Sequence, residues 1–224
     1  MYYIEHKQPF IQGDNMSVIN KITDYFKKHE EEAQTKTNQI WVKKIQVEPL
    51  IFDPVVPGEI ISLKKDAKIQ LEIERYADID KTKKKHHKAA LNIVLKKGFQ
   101  TNGASTVEAG LDAFIPASIS GQEDEYDKHI YNAAPFIHDG LYGLKGEIKV
   151  ENESNNPNNK IRYTLTRSEC DDILGEIWRK SKYVGKVKAL LAKIAVNVAA
   201  GGTEHWHVDE NSKKYFLATI TYKG

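Results

Sequence analysis

Two pairs of adjacent residues and one loop carry the side chains that could do chemistry. His138-Asp139 sits in the run KHIYNAAPFIHDGLYGL, residues 128–144, where Ile130, Ala134, Ile137 and Leu141 fall on one stripe at helical spacing. An imidazole moves protons near neutral pH and a carboxylate holds cations, so the pair offers a general base and a metal ligand. Neighbouring helix positions point about 100° apart. The spacing therefore predicts that His138 and Asp139 do not serve each other and that each needs its own partner. His138 shares its face with Ala134, Leu141 and Tyr142, and Asp139 shares one with Phe136 and Tyr142.

The second pair is Asp171-Asp172. Asp171 lines up with Leu174 and Trp178 on a face that must be buried, whereas Asp172 lines up with Gly175, Glu176 and Arg179 on a polar face. A carboxylate on a buried face costs several kcal/mol unless it is paired or hydrogen-bonded. The well-placed partner of the right chemistry is His138, which predicts a His-Asp pair between two helices. The same residues would also suit a purely structural pair, or an Asp171 that bonds backbone N–H groups. The loop GFQTNGAS, residues 98–105, leaves a strand and is rich in small residues, so it can offer carbonyls to calcium or N–H groups to an oxyanion. His205 and His207 flank Trp206 without an obvious third metal ligand, and Cys170 lacks the Cys-His-Asn spacing of a nucleophile; both read as packing.

These residues need elements to hold them. Residues 14–34 read as an amphipathic helix on Ile19, Ile22 and Phe26 with Ser17 as its cap, an appendage. Strands follow in WVKKIQVEPLIF, EIISL, KIQLEIERYADI and ALNIVLKKGF, where Ile69, Leu71 and Ile73 alternate with polar residues. Between the last two, KTKKKHHK reads as the basic tip of a hairpin, since no aromatic interleaves the lysines as a stacking platform requires. The helix carrying His138 should begin only a residue or two before Pro135. EIKV and IRYTL flank NESNNPNNK as a small β-wing. Thr166 with Glu169 makes a capping box that opens the Asp171 helix. A last helix runs over residues 186–200 to Gly201-Gly202, and KKYFLATITYK closes the chain as a strand. The class is α+β: a β-rich N-terminal half with an amphipathic helix, then a helical half of two antiparallel site helices, a third helix and the wing. Residues 1–45 form the extension and residues 46–224 the body.

Composition sets the outer limits. The chain has 224 residues with Lys+Arg 33 against Asp+Glu 31, so it has enough length for a core and no global field to attract nucleic acid. One cysteine excludes an internal disulfide and Cys-rich zinc modules and suits a reducing cytoplasm. No apolar run spans a bilayer, and MYYIEHKQPFIQGDN has neither the basic nor the apolar region of a signal peptide.

The segments VLKKGFQTNGAST, PFIHDGLYG and LTRSECDDIL, with a helix ending in Gly-Gly before Trp, resemble an uncharacterised family of bacteriophage-encoded proteins. Its pattern is G-F-x-T-D-G-A-S-I-P after a strand, then H-D-x-L-Y, then R-x-x-A-D, and the resemblance covers residues 90–206. The matched positions are Gly98, Phe99, Thr101, Gly103, Ala104, Ser105, His138, Asp139, Tyr142, Arg167 and Asp171. Asn102 stands where the family has Asp, and Thr106-Val107 replaces Ile-Pro. A fainter similarity, H-D-x-x-Y on one helix with an Asp on an antiparallel helix and a β-wing between, is to phospholipase A2. That similarity implies His138 as the base activating water, Asp171 as its orienter with Tyr142 beside them, and Asp139 with Asn102 and Gly103 as the calcium site. The Gly-x-Gly calcium loop and the disulfides of the secreted enzymes are missing.

Two functions follow as expectations. One is a virion component near the tail or portal, made in the host bacterial cytoplasm and docked onto other virion proteins. The other is a hydrolase acting on membrane lipid or another part of the cell envelope, which a virion can carry as cargo. A nucleic-acid binder through KTKKKHHK loses on the near-zero net charge.

Overall fold

The alternation read at Ile69, Leu71 and Ile73 continues across a six-stranded sheet. The computed structural model describes residues 38–53, 60–80, 83–101, 126–151, 162–182, 206 and 208–223. The predicted helices over residues 14–34 and 186–200, the loop beyond Thr101, the tip of the wing and His205 and His207 lie outside the described residues. The strands are β1 (Asn38–Val47), β2 (Ile61–Ser62), β3 (Ala67–Asp80), β4 (Lys83–Leu95), β5 (Gln100–Thr101), β6 (Glu147–Val150), β7 (Arg162–Thr164) and β8 (Phe216–Lys223). The helices are α1 (Tyr126–Gly143), α2 (Arg167–Lys180) and α3 (Glu210–Tyr215). The protein is α+β. The large sheet has the order β1-β3-β4-β8-β6-β7, and β2 pairs with β5 separately. The compact unit that holds the sheet runs from Asn38 to Gly224.

Inward residues of β1, β3, β4 and β8, among them Val42, Leu71, Leu91 and Ile220, form one core with α1 and α2, where Phe136, Ile137, Ile173 and Trp178 are fully buried. The strands extend further than expected at the basic tip. Lys83 already belongs to β4, and register sets Glu74 opposite Lys88, Asp78 opposite Lys84 and Asp80 opposite Lys83. At the described end of that run the Lys88 ammonium lies 3.8 Å from Glu74 Oε1, and opposite charges across a pair support strand pairing. The closing segment starts differently too: Lys213 to Tyr215 finish the short α3, and β8 begins at Phe216.

Pro135 corrects the expected helix start. It lies well inside α1, where it lacks the N–H that would bond the carbonyl of Tyr131. The Trp178 indole N–H donates to that carbonyl at 3.1 Å, and the two rings stack at 5.8 Å. A donor from α2 thus replaces the missing bond and sews the two helices together. Close approach governs the other side of α1, because a Cβ at Gly140 would sit 2.0 Å from the Phe216 ring. Gly98 turns the chain from β4 with φ +93, a conformation favouring glycine, and buries Phe99 against Phe136 and Phe216. No helix among the described residues is long and apolar enough to cross a membrane.

Trp178→Phe keeps most of the ring and strands a buried carbonyl. It should cost about 1–3 kcal/mol in urea unfolding, and an unchanged midpoint would show that water serves the carbonyl instead.

Candidate functional site

Three short pieces of chain meet at His138. Thr101 ends β5, His138, Asp139 and Tyr142 sit on the last turns of α1, and Arg167 and Asp171 sit on the first turns of α2. The start of α2 is fixed by its capping box: Thr166 Oγ1 accepts from Glu169 N at 3.3 Å and Glu169 Oε2 accepts from Thr166 N at 2.8 Å. That places Asp171 on the turn facing α1, with its side chain 1% exposed.

A continuous chain of hydrogen bonds crosses the cluster. Arg167 Nε donates to the Tyr142 oxygen at 3.2 Å, and the Tyr142 hydroxyl donates to Asp171 Oδ1. His138 Nε2 reaches the same carboxylate oxygen at 3.0 Å, and its Nδ1 reaches Asp139 Oδ1 at 3.2 Å. Thr101 Oγ1 donates to Asp139 Oδ2 at 2.5 Å. The Tyr142 ring lies 4.1 Å from the His138 ring and takes Trp206 edge-on at 4.9 Å.

The pairing of His138 with Asp139 overturns the expectation that adjacent helix positions stay apart. Nδ1 lies on the edge of the ring nearest the main chain, so a carboxylate on the next residue can reach back to it. Asp172 is also corrected: it is 5% exposed rather than on a solvated face, because α2 packs against both α1 and the sheet and buries most of its first ten residues.

The geometry dictates the charge of His138. A neutral imidazole has one N–H and one lone pair, and here a carboxylate oxygen faces each nitrogen, so only the doubly protonated ring donates to both. Burial by itself would lower the pKa. The hydrogen bonds and negative charges of Asp139 and Asp171 outweigh it and push His138 up to about 9. Burial and the Asp171 charge push the Tyr142 hydroxyl upward, so it stays a donor. The resting cluster is an imidazolium between two carboxylates, partly open to solvent at Asp139, whose side chain is 27% exposed against 12% for His138.

At Asp139 both carboxylate oxygens have protein partners, His138 Nδ1 on one and Thr101 Oγ1 on the other. Asn102 and Gly103, the other residues assigned to calcium by resemblance, lie outside the described residues. Among the described residues no group of three or more His, Cys, Asp or Glu could hold a metal ion. Cys170 is buried, and burial first and then its acidic neighbours push its thiol well up, which suits packing rather than nucleophilic work.

Sequence reasoning missed the support behind α2. Arg75 on β3 grips Glu169 with Nε at 2.5 Å and Nη2 at 2.8 Å, and its guanidinium lies 4.9 Å from the Tyr163 ring. A signal was available, because the chain has only four arginines, Arg75, Arg162, Arg167 and Arg179, among many lysines. Planar fork geometry is what lysine cannot supply. Arg75 forks onto Glu169, Arg179 forks onto Glu176, and Arg167 bonds Tyr142. No family model matches the chain, and neither a curated protein nor a solved structure matches it.

The raised pKa of His138 stabilises the fold fully below its unfolded value, and that contribution fades as pH rises through about 9. Urea unfolding should therefore weaken by about 3 kcal/mol between pH 6.5 and 9.5, and His138→Gln should flatten the decline. A wild-type profile that is level over this window contradicts the charged ring. Arg75→Met, which leaves Glu169 buried and unpaired, should cost about 3–5 kcal/mol. Arg75→Met/Glu169→Gln should recover part of that loss in the same assay.

Proposed function

We propose that this chain is a bacteriophage virion-associated protein, a tail or portal-proximal component or cargo, with its body locked by the His138 cluster. One observation carries the reading: the three separated segments behind the phage resemblance converge on one hydrogen-bonded network. Thr101 from the first bonds Asp139 from the second, and His138 and Tyr142 from the second bond Asp171 and Arg167 from the third.

In this reading the β-rich N-terminal half and the extension of residues 1–45 dock onto other virion proteins. The two site helices, joined at His138–Asp171 and at Trp178–Tyr131, hold the body together. The protein is made in the host bacterial cytoplasm, ends in the particle and needs no specific nucleic acid. Mass spectrometry of purified particles of the phage encoding it should recover its peptides at a fixed ratio to the capsid protein. Particles that infect normally and lack those peptides would overturn the reading.

A second reading, a hydrolase of membrane lipid or other cell-envelope material, has one observation in its favour. Asp171 is fully buried behind Nε2 while the Nδ1 side opens toward solvent at Asp139. As a base, the ring must first lose a proton and Asp139 must leave Nδ1. Fatty-acid release from mixed anionic vesicles should then rise with pH toward about 9 and vanish in His138→Ala. No turnover by either form at any pH removes the hydrolase.

A further inference from the structure

Helix α1 holds a second described histidine whose requirement is opposite to that of His138. His129 lies near the start of α1 and is 6% exposed, and its Nδ1 accepts the main-chain N–H of Leu50 at 3.2 Å in a buried bond. Leu50 belongs to the connector that leaves β1 toward β2, and of residues 48–53 it alone is buried. A ring nitrogen that accepts must keep its lone pair, so His129 carries its proton on Nε2. A second proton, on Nδ1, would set two N–H groups face to face and take the acceptor away from a buried donor.

The remaining ties of the connector have no such requirement. Glu48 N donates to Lys68 O at 2.9 Å, Lys64 N donates to Ile51 O at 2.7 Å, and Phe52 bridges to Leu63. Toward α1 the connector has the His129 bond as its polar tie and the Phe52 ring tilted against Phe136 at 5.9 Å. The Trp178 bond to Tyr131 sets the last turn of α2 level with His129. Ionisable groups on the pieces packed here are Lys128 on α1, Glu48 and Asp53 on the connector, and Arg179 and Lys180 on α2. Glu48 Oε2 accepts the Lys68 N–H at 2.9 Å, and Asp53 pairs with Lys64 at 2.6 Å. Arg179 forks onto Glu176, and Lys180 Nζ donates to Lys43 O at 2.9 Å.

We propose that His129 is an acid-released latch: with Nδ1 unprotonated it holds the connector of residues 48–53 to the start of α1, and protonation lets the connector leave the helix while the large sheet stays folded. The opening is local because a stretch with one buried residue separates at low cost, whereas the strands beside it are buried along a whole face. His138 already donates from both nitrogens, so acid alters the ring at 129 and leaves the one at 138 as it is. The latch rests on the Leu50 bond and does not depend on the virion or the hydrolase reading.

The test is amide hydrogen exchange of the full chain by NMR, corrected for intrinsic exchange, between about pH 7.5 and 5, on either side of the ordinary histidine value of about 6.5. Nitrogen shifts of the His129 ring are recorded over the same range. At the upper end Nδ1 should be unprotonated. As the ring takes its second proton, protection of the Leu50 amide should fall by up to roughly tenfold per pH unit, while Leu71 and Leu91 in the sheet keep theirs. His129→Asn places an amide oxygen where Nδ1 stood and takes no proton, so Leu50 protection should stay level. Three results overturn the latch: a proton on Nδ1 at pH 7.5, level Leu50 protection in the wild type, or loss at Leu50 only together with the sheet amides. An equal decline in His129→Asn overturns it too, and if that variant does not fold the wild-type readings decide alone.

Discussion

A charged imidazole ring held between two carboxylates is the constraint on which the rest of this structure depends. His138 joins Asp171 on α2 to Asp139 on its own helix, and Asp139 holds Thr101 at the end of β5. Charges removed from water are tolerated only when paired with good geometry. One rotation of α1 against α2 brings Nε2, Tyr142 and Arg167 onto or next to Asp171 together. The polar network therefore selects the helix arrangement that the apolar contacts around it then stabilise.

The surrounding elements can be understood as means of holding that arrangement. Trp178 supplies the donor that Pro135 removes, and so ties α1 to α2 at the far end from His138. Arg75 neutralises Glu169 while Glu169 caps α2, so the sheet positions the turn that bears Arg167 and Asp171. Gly140 lets α1 approach Phe216, which brings β8 beneath the helix. Each connection is short and buried or half-buried, so the site helices have little freedom relative to the sheet.

Much of this was legible in local sequence, and the reasons are periodic. Ile69, Leu71 and Ile73 declare a strand because alternate residues face one side, and Thr166 with Glu169 declares a helix start because the two groups lie one turn apart. Asp171 read as inward because it shares a face with Leu174 and Trp178. What failed depended on residues distant in sequence or on the reach of side chains. Nothing near Pro135 announces that Trp178 will replace its hydrogen bond. The lysine run does not itself announce that β4 pairs with β3 all the way back to Lys83. Asp172 was misplaced because a helix packed on two sides buries more than one stripe, and the 100° rule for His138 and Asp139 describes Cβ directions rather than where a ring nitrogen ends.

The measurement that tests the central claim most directly is the nitrogen NMR titration of the His138 ring in the full chain. The account predicts that Nδ1 and Nε2 both carry protons at pH 7.5 and that the ring loses one only near pH 9. A ring with a single N–H at pH 7.5, titrating near the ordinary histidine value of about 6.5, would contradict it.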